Sequence, residues 1–275
     1  MKRLIIFFLF VSLKVFGQNT PEEMMDMGNQ YFANGNPKKA AEYYSQYINT
    51  YKDSARGYTA RGNAYVLLHD FKSALVDFKM ALYLDPNSAR AYAGRGTTYF
   101  FIGNTKEAIE DMNKSIELDP ESLMSYQTLA SIYTAESKYD LAMTVIDKSI
   151  SINSSDGENY RIKGTLYFYM NDTAKAISTL DKAIETAPQN PKMYTTRGAL
   201  YKDIGKLDLA MTDYDKALVI NPNDAEALAR KGIVYLLQKK YKEAVEYMEK
   251  GLSFDPNMES GIKQYLDQAK ANLKK

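Results

Sequence analysis

Residues 55–88 read ARGYTARGNAYVLLHDFKSALVDFKMALYLDPNS, and residues 89–122 read ARAYAGRGTTYFFIGNTKEAIEDMNKSIELDPES. The two stretches are equal in length and share Gly at position 8, Tyr at position 11, Ala at position 20 and Pro at position 32. Self-similarity at a fixed period outranks local propensity as a fold signal. Carrying the 34-residue period in both directions divides residues 21–258 into seven units without insertion or deletion: 21–54, 55–88, 89–122, 123–156, 157–190, 191–224 and 225–258. Position 11 is Tyr in all seven, from Tyr31 to Tyr235, and position 20 is Ala in all seven, from Ala40 to Ala244. Position 8 is Gly in six units and Ala130 in the fourth, and much of the chain's complement of 23 Tyr falls at positions 4 and 11.

Positions 4, 8 and 11 share one face of a helix, and positions 20, 24 and 27 share a face of a second. Gly at 8 opposite Ala at 20 lets the two backbones approach closely. Gly35, Gly103, Gly205 and Asn171 mark a turn at position 15. Pro at 32 stops the second helix, and the Ser, Asn or Asp that follows can cap the next one. Unit one carries Tyr47 where a small residue is expected. Unit four carries Ala130, and Ser154 in place of Pro, so its joint with unit five is the expected soft point. Residues 259–275 read as a closing amphipathic helix with Ile262, Tyr265, Leu266, Ala269 and Leu273 on its apolar face.

This pattern resembles the tetratricopeptide repeat (TPR) family over residues 21–258. The resemblance implies an all-α fold: a helix A–turn–helix B pair per unit, stacked into a right-handed superhelical solenoid with helix A on the concave face. It also implies a non-enzymatic scaffold that binds a peptide or protein in that groove. An accessory or regulatory subunit of an exported enzyme or envelope-assembly complex is the alternative.

Composition narrows the function. Thirty-five basic residues balance 34 acidic ones, which argues against a nucleic-acid partner. With no Cys and one His, thiolate and multi-His metal sites are excluded, and no cofactor or catalytic constellation is expected. His69 sits at the turn of unit two and reads as a solvated turn residue. The triplets Asn113-Lys114-Ser115 and Asn171-Asp172-Thr173 resemble glycosylation acceptors, but the first falls within a helix.

Residues 1–17 have the form of a secretory signal: Lys2 and Arg3, an apolar run Leu4 to Leu13, then Val15-Phe16-Gly17. Residues 18–20 would be a short linker. The run is short for a membrane span, so cleavage near Gly17–Gln18 and a periplasmic or secreted mature chain, without a membrane span, are the expectation; a retained anchor is the alternative.

Two further patterns bear on binding. Arg occupies position 7 and Asp position 23 together in units two, three and six: Arg61 with Asp77, Arg95 with Asp111, Arg197 with Asp213. Their joint appearance predicts ion pairs within each repeat. Concave-face positions in the family are variable, and here they hold Phe32, Val66, Phe100, Phe101, Phe168 and Tyr169 near helix-A ends, with Asn29 and Asn63 at position 9 and Arg56 and Arg90 at position 2. These are the candidate partner-binding residues. The family's carboxylate clamp for chaperone tails is not matched: units one to three offer Met25, Asn29, Ala60, Arg90 and Gly94 at its places.

Overall fold

The computed structural model describes residues 20–273; the expected signal, residues 1–17, lies outside them. Among the described residues the fold is all-α, with fifteen α-helices and one short 3-10 turn. The helices are α1 Pro21–Ala33, α2 Pro37–Thr50, α3 Ala55–Leu67, α4 Phe71–Leu84, α5 Ala89–Phe101, α6 Thr105–Leu118, α7 Leu123–Ala135 and α8 Tyr139–Ile152. They continue with α9 Gly157–Tyr169, α10 Thr173–Thr186, α11 Pro191–Asp203, α12 Leu207–Ile220, α13 Ala225–Leu237, α14 Tyr241–Phe254, the turn Pro256–Met258, and α15 Glu259–Leu273. In every repeat helix A fills positions 1–13 and helix B positions 17–30. The chain forms two compact units, residues 20–111 and residues 112–273.

Helix starts are fixed by capping. Thr20 accepts from the Glu23 N–H while the Glu23 side chain accepts from the Thr20 N–H, a reciprocal capping box in front of Pro21. Ser54, Ser88 and Asp224 cap α3, α5 and α13 through side-chain oxygens. Helix A ends the same way in all seven repeats. The residue at position 15 has positive φ, from 57° at His69 to 82° at Gly103, and the N–H at position 16 bonds back to the carbonyl of the position-11 Tyr. This is a Schellman ending, which satisfies carbonyls the helix leaves open. Only Gly35, Gly103, Gly205 and Asn171 announce it in sequence; His69, Ser137 and Lys239 adopt it without glycine.

Helix B ends at position 30 with an extended residue after it, as a following Pro favours. Asn153, which precedes Ser154 rather than Pro, takes the same conformation, φ −140° and ψ 99°. Its side chain accepts from the Ser155 N–H at 2.9 Å. The joint between units four and five is further tied by a polar network. Ser149 and Gln127 both donate to the Oδ1 of fully buried Asn159, and Gln127 also reaches Asp156. These hydrogen bonds add to the apolar packing of Ala142 and Ile146 with Ile162 and Leu166 across the same joint.

In units one, two, five, six and seven the position-8 glycine faces the bulky residue at position 24. A Cβ on Gly28, Gly62, Gly198 or Gly232 would come within 2.5–2.9 Å of Tyr44, Phe78, Tyr214 or Met248. Between repeats, position 27 meets position 3 of the next unit, and the pair is matched in volume and chemistry. Tyr47 packs on Gly57, where a Cβ would meet its ring at 2.9 Å. Ala81 packs with Ala91, Ser115 hydrogen-bonds Ser125, and Ser149 hydrogen-bonds Asn159. The unexpected Tyr47 is thus accommodated by a glycine in the following repeat. At the C-terminal end, α15 has no helix partner of its own. It lays Ile262, Leu266 and Ala269 over Ala229, Ile233, Leu236 and Met248, covering the last repeat's core.

Candidate functional site

The arginines sort into two classes. Arg61, Arg95 and Arg197 form forked pairs with Asp77, Asp111 and Asp213 of their own repeats, with N–O distances of 2.7–2.9 Å. The three aspartates are buried while the guanidiniums keep about a fifth of their surface. The hydrogen bonds to Asp hold each guanidinium above its ordinary range. Tyrosines at positions 4 and 11 flank the cation: Tyr58 and Tyr65 lie 5.6 and 5.8 Å from Arg61, and Tyr92 and Tyr99 lie 5.5 and 5.9 Å from Arg95. The tyrosine excess therefore serves in part to cradle these buried ion pairs.

A second pairing, unread from the sequence, links neighbouring repeats. The position-7 cation also reaches position 25 of the preceding unit: Lys163 to Asp147, Arg197 to Asp181 and Lys231 to Asp215. The signal was present, since Asp stands at position 25 before each of these three units. Units five and seven lack the intra-repeat Asp, and this contact serves in its place.

The remaining charges near helix A of residues 112–273 are also neutralised locally. Arg161 makes a two-pronged pair with Glu158 at 2.7 and 2.8 Å, Lys192 joins it at 3.2 Å, and Arg230 pairs with Glu226 at 2.7 Å. Burial pushes the Glu158 carboxyl up, but Arg161 and Lys192 outweigh it and hold the group below the usual carboxylate range. Phe168 lies beside these charges, half-buried against the core residues Leu180 and Leu200.

Residues 20–111 differ. Here a cavity of about 490 Å³ is lined by Asn29, Phe32, Arg56, Asn63 and Arg90 over a floor that includes Met25 and Tyr44. Five of the sequence-predicted residues thus share one pocket. Tyr44 donates to the Asn29 Oδ1 at 2.9 Å, and no partner among the described residues takes the Asn29 amide N–H groups. Burial pushes the Tyr44 phenol up and the nearby Arg56 charge draws it part of the way back. Arg56 and Arg90 make no ion pair among the described residues. Asp85 stands at the rim, its carboxylate accepting from the Asn87 N–H.

The other candidates lie elsewhere. Val66 is half-buried in the last turn of α3. Phe101 stacks on Phe71 at 5.7 Å and Phe100 on Phe101 at 6.3 Å. Tyr169 stacks on Tyr139 at 6.0 Å with nearly parallel planes. In both cases the position-13 ring leans on the first residue of the preceding repeat's helix B. His69 stands edge-on to Phe71 at 5.8 Å, beside this aromatic ladder. Among the described residues no cluster of His, Cys, Asp and Glu could hold a metal ion, and no helix is long and apolar enough to cross a membrane.

Comparison with known proteins bears on the whole array. The tetratricopeptide repeat matches residues 24–54, 55–88, 89–122, 125–156, 158–190 and 225–258, and a TPR repeat model matches residues 198–239. No catalytic domain is identified among these matches. A UDP-N-acetylglucosamine–peptide N-acetylglucosaminyltransferase from Giardia intestinalis is 39% identical over 66 residues, 24% of this chain and 4% of that protein. Human tetratricopeptide repeat protein 12 is 39% identical over 64 residues, 23% of this chain and 9% of its own length. The chain thus covers only a small part of either relative. A crystal structure of a tetratricopeptide repeat protein from Parabacteroides merdae superposes with a TM-score of 0.72 at 20% identity, covering 90% of this chain and 98% of the other. On these matches, the repeat register and the paired helices, the chain belongs to the tetratricopeptide repeat family, with about seven tandem repeats spanning residues 24–258.

Proposed function

We propose that this protein is an exported, non-enzymatic scaffold that binds a peptide segment of a protein partner in the pocket formed by Asn29, Phe32, Arg56, Asn63 and Arg90. Tetratricopeptide repeats are protein-interaction modules, which supports the general class. The observation that selects this pocket is its unspent polar capacity. Two arginines without carboxylate partners stand beside an amide whose N–H donors are unused, whereas charges at the comparable helix-A positions of residues 112–273 are already paired. Asn29, Arg56 and Arg90 are exposed, so their donors are open to a ligand's carboxylates and carbonyls in exchange for water. The half-buried Phe32 gives the ligand an apolar contact.

Panning a random dodecapeptide library on the full mature chain tests the binding. Peptides should be enriched, and their binding should fall with the Phe32→Ala/Asn63→Ala double variant while helicity and melting hold. Enrichment that ignores this variant would move the site elsewhere. Export follows from the signal-like residues 1–17, giving a periplasmic or secreted mature chain beginning at Gln18. Intact-mass measurement of the exported fraction should show loss of those residues, and a full-length mass there would overturn it.

A further inference from the structure

We propose that the segment bound by residues 20–111 is acidic, with two carboxylates two or three residues apart, one engaged by Arg56 and the other by Arg90. This rests on the peptide-binding reading of the same pocket and adds the chemistry of its ligand.

The argument begins with partners. Of the described arginines, Arg61, Arg95, Arg161, Arg197 and Arg230 each hold a carboxylate at 2.6–2.8 Å. Arg56 and Arg90 are the exceptions, and both line one cavity. A planar guanidinium fork is suited to carboxylate, which it binds with two parallel hydrogen bonds. The only carboxylate lining the cavity, Asp85, pairs with neither arginine and serves the turn after α4 through Asn87. Two arginines against one aspartate leave the lining with a positive excess, complementary to an acidic ligand.

Spacing sets the pattern. Arg56 and Arg90 occupy the same position of α3 and α5, successive A helices that pack together. Packed helices lie about 8–10 Å apart, and an extended chain advances about 3.3–3.6 Å per residue. Carboxylates two or three residues apart match that separation. The rest of the lining suits a peptide rather than an inorganic anion. The Asn29 amide can donate to a backbone carbonyl, and Phe32 and Met25 offer apolar contact to the side chains between the acids.

The test uses the peptides enriched on the full mature chain. They should carry Asp or Glu pairs at that spacing, and their binding should weaken as salt rises. A charge-assisted hydrogen bond contributes enough that each arginine is worth about tenfold in affinity. The Arg56→Gln/Arg90→Gln variant should therefore lose about a hundredfold, and the Lys192→Gln variant should lose nothing. Both arginines are exposed, so circular dichroism and melting should not change. The charge-reversed Arg56→Glu/Arg90→Glu variant should select basic peptides instead. Enriched peptides without paired acids, or affinity unchanged in the glutamine variant, would overturn the acidic assignment. If such peptides still respond to Phe32→Ala, the peptide pocket stands and only its charge preference falls. If no peptide is enriched, both readings fall.

Discussion

Tyr44 and Tyr214 occupy position 24 of their repeats, both wedged beside a position-8 glycine, and they differ in one hydrogen bond. The Tyr44 hydroxyl donates to Asn29, whereas the buried Tyr214 hydroxyl has no partner among the described residues, because the residue at the place of Asn29 is Ala199. A buried polar group without a partner bears its desolvation cost alone, about 1–3 kcal/mol, and a satisfied one contributes about 1 kcal/mol net. Tyr44→Phe should therefore lower stability by about 1 kcal/mol. Tyr214→Phe should leave it unchanged or raise it. Urea midpoints of the two variants check this, and equal losses in both would show that the Tyr214 hydroxyl is satisfied in solution. Backbone strain makes a second residue-scale case. Lys239 holds a φ of 62° to close the Schellman turn of the last repeat. A side chain in the left-handed region costs about 1–2 kcal/mol, and glycine does not bear that cost. Lys239→Gly should raise the melting temperature; a lower one would mean the Lys239 side chain contributes more than its backbone costs.

The paired helices test which interactions a repeat needs. Unit four carries Leu129 and Val145 where unit three carries Arg95 and Asp111, and both units fold into the same helix pair. Removing only the arginine strands the buried Asp111, a loss of about 3 kcal/mol for a mostly buried pair. Arg95→Leu should therefore be severely destabilising, and Arg95→Leu/Asp111→Val should recover most of the loss. Denaturant titration of the single and double variants reads the coupling directly; additive losses would deny it. This ion pair was legible in sequence because Arg and Asp vary together at positions 7 and 23. Helix positions were legible because seven copies share one register. The repeat-to-repeat contacts were not, although Tyr47 with Gly57 and Ser115 with Ser125 vary together just as plainly. Recognising them requires knowing which face of helix B meets the next helix A, and the period alone does not specify it. The turn at position 15 was legible from the period, but the left-handed backbone at His69, Ser137 and Lys239 was not, because the hydrogen bonds of the repeat impose it on residues that do not prefer it. At the site, residue type and position brought Asn29, Phe32, Arg56, Asn63 and Arg90 into view together. What the sequence could not supply was their lack of partners, which depends on where each carboxylate reaches.

At the scale of the whole molecule, stability against pH depends on buried phenols at one end and on paired carboxylates at the other. Burial raises the phenols of Tyr44, Tyr201, Tyr214 and Tyr235 above their ordinary range. In the unfolded chain such phenols begin to ionise near pH ~10. Below that pH both states keep the proton and the folded state retains its full advantage. Above it the unfolded chain has released protons that the folded chain still holds, so stability falls, by up to about 1.4 kcal/mol per pH unit for each such group. The acid side has the opposite sign. Glu158, held below the usual range by Arg161 and Lys192 against the effect of burial, adds stability that is complete above the ordinary glutamate value of about 4.3. That contribution is lost as pH falls through its lowered folded value. Melting temperatures measured from pH 3 to pH 11 should form a plateau with a fall at each end. Tyr214→Phe removes one phenol that only the unfolded state ionises, so it should make the alkaline fall shallower and leave the acid fall unchanged. Arg161→Gln removes much of what holds the folded Glu158 value down, so it should lower the neutral plateau, make the acid fall shallower and leave the alkaline fall as it was. An alkaline fall identical in the Tyr214→Phe variant would show that this phenol ionises equally in both states, and would overturn the account of its burial.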